Sequence, residues 1–145
     1  MPKYNSYKIT AILFNTMNTK EKIVLEYPLK STSLDVIWNA ISTPTGLEYW
    51  FADKVVDNGK NLTFIWSKID QRDAVVTAFR QGVFIRFKWL DAEDKREYVE
   101  FRIDYNELTD EYELIITDFT EPDEKEDTKS LWNSQVDILR RENGL

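Results

Sequence analysis

Two runs of strict alternation, residues 83–89 and 99–105, constrain the fold of this chain more than any other feature. In the first, Val83, Ile85, Phe87 and Trp89 share one face and Phe84, Arg86 and Lys88 the other. In the second, Val99, Phe101, Ile103 and Tyr105 oppose Glu100, Arg102 and Asp104. Successive side chains of a strand point to opposite faces, so the pattern fits an antiparallel sheet with one wet face and one apolar face. Residues 91–95 make the turn between the two strands.

The rest of the chain supplies further strands of the same kind. Residues 22–29 place Ile23, Leu25 and Tyr27 on one face, with Pro28 near the end, where a missing amide donor is tolerable. Residues 54–56 lead into Asp57-Asn58-Gly59-Lys60, and Asn-Gly supplies the positive φ angles of a two-residue hairpin turn. Leu62, Phe64 and Trp66 then alternate with Thr63, Ile65 and Ser67. Residues 70–73 read as a polar turn into a strand over 74–80, which Gln81-Gly82 closes. A last strand spans about 111–120; its Ile115 and Phe119 stand opposite Tyr112, Leu114 and Ile116, and pattern alone leaves its orientation open.

Helical periodicity occurs in two places. After Thr32 or Ser33 as cap, with Asp35 placed as in a capping box from Thr32, the residues Leu34, Ile37, Trp38 and Ile41 form an apolar stripe. Pro44 ends that run and opens a second turn with Leu47, Trp50 and Phe51 on its apolar face. Near the carboxyl end, Pro122 and neighbouring acids open a helix with Leu131, Trp132, Gln135, Val136 and Leu139 in one stripe, closed by Asn143-Gly144. The order is strand, two short helices, a meander of about six strands and a long helix. Strands without intervening helices favour an α+β fold with an antiparallel sheet. Curving that sheet around the last helix buries both apolar patterns together.

Composition narrows the function classes. At 145 residues, 42% hydrophobic and 31% charged, the chain has the profile of one domain. No apolar run is long enough for a membrane span and no signal-peptide pattern opens the chain, so the expected location is the cytoplasm. With no histidine and no cysteine, Ser-His-Asp, Cys-His and ordinary zinc sites are excluded, and no paired-carboxylate motif replaces them. The reading is therefore non-enzymatic, with no metal or cofactor. A net charge of −7 with interspersed signs argues against nucleic acid. The acidic run at residues 121–127 reads as a solvated helix start favoured by the helix dipole. Asn61-Leu62-Thr63 matches a glycosylation sequon but is read simply as a strand start.

Several segments together resemble a known family. They are Leu34 with Val36-Ile37-Trp38, the turn Ser42-Thr43-Pro44-Thr45-Gly46-Leu47, Trp50-Phe51-Ala52-Asp53, Phe64-Ile65-Trp66, the strand from 83 to 89, and Leu131-Trp132 through Leu139. In this order they resemble the START-like, Bet v 1-like (SRPBCC) superfamily, near its Hsp90-ATPase-activator-homologue group. The resemblance implies a helix-grip fold: a curved antiparallel sheet of six to seven strands with the last helix across its concave face. It further implies a space between sheet and helix that holds an apolar or lipid-like molecule, with candidate walls Trp66, Phe87, Trp89, Phe101, Tyr105, Trp132 and Val136. Side chains this large would alternatively fill the space themselves. A protein-interaction domain resembling co-chaperone activators, using Trp50-Phe51 or the acidic helix start, is the second reading. A cyclase-like enzyme with Tyr105 or an inward Asp118 is the third. Residues 17–145 form the single domain, and residues 1–16 are either an artefact preceding a native start at Met17, a loosely ordered extension, or an extra strand or oligomer contact through Ile9, Ile12, Leu13 and Phe14.

Overall fold

The computed structural model describes residues 20–145, so the expectations for residues 1–16 lie outside the described residues. Strand β1 (Glu21–Pro28) is followed by helices α1 (Leu34–Ser42) and α2 (Pro44–Glu48). Six strands come next: β2 (Lys54–Asp57), β3 (Leu62–Ser67), β4 (Asp70–Arg80), β5 (Phe84–Trp89), β6 (Val99–Asn106) and β7 (Glu111–Thr120). A 3₁₀ turn (Pro122–Glu124) leads into the closing helix α3 (Lys125–Asn143).

All seven strands join one antiparallel sheet in the order β1-β7-β6-β5-β4-β3-β2. The meander thus runs from one edge toward the other, and β1 completes it beside β7, with Tyr27 opposite Leu114. Register shifts between Ile65 and Ser67 and between Val76 and Ala78 interrupt the ladder, and such bulges bend and twist a strand. On the concave face Trp132, Val136 and Leu139 of α3 are buried against Phe87, Phe101, Leu114 and Ile116 of the core. This is the helix-grip arrangement. The open orientation of β7 is resolved: Leu114 and Ile116 are fully buried, and Asp118 follows them inward.

The α1–α2 pair fixes how the chain enters this core. Ser33 is the cap of α1, its Oγ accepting from the Val36 amide at 3.3 Å, so Asp35 sits in the first turn without a capping box from Thr32. Leu34 departs from the predicted stripe and is 36% exposed, while Ile37, Trp38 and Ile41 are buried. Thr43 ends one helix and caps the next, accepting from Gly46 N–H at 2.9 Å, with Pro44 in the first helical turn. A Cβ on Gly46 would lie 2.0 Å from the Asn39 carbonyl oxygen, so only glycine allows the two helices to approach this closely.

Two turn expectations are corrected. The β2–β3 connection is not a two-residue hairpin, because Asp57 pairs with Leu62 across a four-residue loop. In that loop the Asn58 carboxamide oxygen accepts from the amides of Lys60 and Asn61, and Asp57 accepts from Gly59. Residues 70–73 are not a turn but the start of β4, the turn lying at residues 68–69. The strand tolerates its charges because Arg72, buried on the inner face, stacks 4.0 Å above the Trp89 ring and donates to Asp91 at 2.7 Å.

Candidate functional site

The predicted site is the space between the sheet and α3, and a side chain outside the predicted walls occupies its centre. Phe51 leaves the end of the α2 segment and is 1% exposed. Its ring lies near-parallel to Trp132 of α3 (5.6 Å between centroids, 10°) and to Trp89 of β5 (6.4 Å, 20°). Edge-on contacts join it to Phe64 at 5.0 Å, Phe101 at 5.7 Å and Phe87 at 6.1 Å. Such offset and edge-to-face pairs are each worth about 0.5–1.5 kcal/mol beyond area burial.

Hydrogen bonds hold this residue by its backbone. The indole N–H of Trp66 donates to the Phe51 carbonyl at 2.7 Å. Gln135 of α3 donates from Nε2 to the carbonyls of both Trp50 and Phe51. Its place on the apolar stripe is explained by that bond rather than by packing. Trp50, itself 2% exposed, anchors from its indole nitrogen to the Ala40 carbonyl at 2.8 Å. Of the two readings of Trp50-Phe51, docking surface and core, the structure shows core: both rings are buried.

Of the predicted walls, Phe87, Trp89, Phe101, Trp132 and Val136 are buried together, and Trp66 is half-buried at the margin. Tyr105 does not join them. It keeps inward parity but stands one residue from the end of β6, is 45% exposed, and packs on Tyr112 at 5.2 Å while its hydroxyl bonds Asp110. Beside Phe51 a surface groove of about 180 Å³ is lined by Glu48, Tyr49, Trp66, Gln135 and Ile138 among others. Small-molecule sites run to about 300–1,000 Å³.

Polar groups stand at the margins of the aromatic centre. Asp118, 2% exposed, accepts from the Trp132 indole N–H at 2.9 Å, so the inward carboxylate is engaged with the core. Tyr27 donates its hydroxyl to Asn133 at 2.7 Å, tying β1 to α3, and burial pushes its phenol up to about 12 against the lowering pull of Arg140. On the convex face Glu100, with its side chain 8% exposed, receives Arg86 at 2.9 Å and Arg102 at 3.4 Å. Sequence alternation placed all three outward without signalling that they meet.

A seven-stranded antiparallel sheet gripped by a carboxyl-terminal helix defines a helix-grip domain. Residues 17–144 match the family profile of the START-like superfamily domain, and the chain belongs to that superfamily. Among solved structures it is similar to BfR322 from Bacteroides fragilis, with 58% identity over 86% of this chain and 91% of that one, at a TM-score of 0.61. It is also similar in fold to the Aha1 dimer from Colwellia psychrerythraea (15% identity, 85% and 96% coverage, TM-score 0.70). Protein MLL2253 from Mesorhizobium loti shares the fold at 18% identity, 83% and 95% coverage and a TM-score of 0.66. Comparison with curated proteins gives no match. Among the described residues no helix is long and apolar enough to cross a membrane.

Proposed function

We propose that this START-like domain is a non-enzymatic protein-interaction module that works through its outer surface, rather than a carrier of a hydrophobic molecule between sheet and helix. The observation that carries the reading is Phe51 seated among Trp89, Phe101 and Trp132, where a carried ligand would need to lie. A ligand in that position has to displace a ring that is 1% exposed and whose backbone carbonyl is hydrogen-bonded from two sides. The sequence resemblance to co-chaperone activators supports the same reading.

The test joins two measurements. Native mass spectrometry after gentle purification is expected to give the mass of the chain alone, and a panel of fatty acids, sterols and phospholipids is expected to leave the melting temperature unchanged. Crosslinking capture with the purified domain is expected to return a stoichiometric protein partner. Recovery of a bound apolar molecule, or a saturable thermal shift with one lipid, would overturn the proposal in favour of the carrier reading.

A further inference from the structure

The chain carries 26 acidic and 19 basic side chains, yet one part of its surface reverses that sign. The strand register aligns Arg86 with Glu100 and Arg80 with Phe84 and Arg102, which places these groups on the convex face of β4, β5 and β6. Lys88 shares their parity on β5. Four cations thus share this region with Glu100, whose carboxylate lies between two of them. Asp104, paired with Glu113 one step beyond Arg102, and Asp73 on β4 bound the patch.

Its guanidinium groups are held in place. Arg86 lies 4.1 Å above the Tyr98 ring and Arg102 4.7 Å above the Phe84 ring. Buried Glu100 fixes both from below, taking Arg86 through Nε and Nη2 and Arg102 through Nε alone. The η nitrogens of Arg102 make no hydrogen bond among the described residues, and its side chain is 39% exposed. Stacking and the shared carboxylate hold both guanidinium groups, whose side chains are 38% and 39% exposed, and leave the η nitrogens of Arg102 and Nη1 of Arg86 for an incoming carboxylate. Arginine beside aromatic rings is also the composition of interface hot spots.

Building on the interaction reading above, we infer that the convex face of β4–β6 is the docking surface, and that its partner presents an acidic segment whose Asp or Glu side chains seat on Arg86 and Arg102. A polyphosphate backbone is the poorer fit. The patch is small and carboxylates border it, and a net charge of −7 repels any polyanion in proportion to its charge, so a short acidic segment is disfavoured less than a continuous phosphate backbone.

The probe is a capped peptide of alternating Glu and Ala, titrated into ¹⁵N-labelled protein. Amide shifts are expected to concentrate on β4–β6 and to fade as salt is raised. Arg80→Glu, at an exposed site, and the triple variant Arg86→Gln/Glu100→Gln/Arg102→Gln, which leaves no stranded buried charge, are each expected to weaken binding at least about ten-fold, or about 1.4 kcal/mol. No shifts, shifts around Lys20, Lys22 or Lys125 instead, unaltered affinity in both folded variants, or tighter binding of an oligothymidylate would each overturn the inference. A captured protein partner that both variants retain refutes this surface while leaving the interaction reading intact. A lipid recovered from the core refutes that reading, whatever the peptide does.

Discussion

Replacing Phe51 by alanine tests whether this ring fills the grip. The side chain is 1% exposed and is walled by rings from α3, β3, β5 and β6, with centroids between 5.0 Å for Phe64 and 6.4 Å for Trp89. Three of these elements are strands of one hydrogen-bonded sheet and cannot move inward independently, so much of the vacated volume persists. Loss of burial costs about 2 kcal/mol. If roughly 100 Å³ stays open, the cavity term at about 24 cal/mol per Å³ adds about 2.4 kcal/mol. The sum, about 4 kcal/mol, lies inside the usual range of about 3–5 kcal/mol for Phe→Ala. Urea unfolding of the Phe51→Ala variant is expected to show that loss with an unchanged slope. The vacated slot faces Trp89 and Trp132, so a flat apolar molecule such as indole should enter it. At a concentration of about 100 times its Kd, indole restores about 2.7 kcal/mol in the variant and nothing in the wild type. A loss below about 1 kcal/mol, or equal stabilisation of both proteins by indole, would refute the filled-core argument.

Other substitutions probe the supports of that ring. Gly46→Ala places a methyl group 2.0 Å from the Asn39 carbonyl oxygen and 2.8 Å from Ala40 Cα, so α1 and α2 must separate; the expected cost is about 2–3 kcal/mol, and an unchanged urea midpoint contradicts the close approach. Trp132→Phe removes the indole N–H that donates to buried Asp118 at 2.9 Å and should cost about 1–3 kcal/mol, whereas a neutral result means that the bond adds nothing to stability. The Tyr27 phenol ionises at about 12 when folded, against about 10 when unfolded. Its contribution to stability is therefore complete below about pH 10 and lost as pH rises toward 12. Tyr27→Phe should flatten that decline, and an identical decline in the variant excludes Tyr27 as its source.

Alternation made the inner faces of β5 and β6 legible because no bulge interrupts their pairing with each other or that of β6 with β7, so parity holds along both strands. The same rule could not say how far along β6 the cover extends, which is why Tyr105 has inward parity yet is 45% exposed. Charge misled at residues 70–73, since a pattern cannot reveal that Arg72 will find Trp89 and Asp91 from other segments. Asn58-Gly59 marked a turn correctly but not its length, which the Asn58 side chain sets by accepting two amides. The candidate walls were legible as apolar strand and helix faces. Phe51 was not legible as their common neighbour, because it belongs to a connecting segment and reaches the centre through the angle between two short helices.

That angle decides whether the grip is open to a ligand. Gly46 lets α2 fold against α1, the Trp50 indole fastens the result to Ala40, and Phe51 is delivered between α3 and the sheet. Withdrawing Phe51 breaks three hydrogen bonds to the carbonyls of Trp50 and Phe51, from Trp66 and Gln135. Each is worth about 1 kcal/mol net, and exposing the ring adds about 2 kcal/mol, so the open state lies about 5 kcal/mol above the closed one. At about 1.4 kcal/mol per decade, only about one molecule in 10³–10⁴ is open. A molecule that would bind the open grip with nanomolar affinity then binds the protein at about micromolar affinity. Carriage of a scarce lipid is hard to sustain against that penalty, while docking on the convex face of the same sheet is untouched by it.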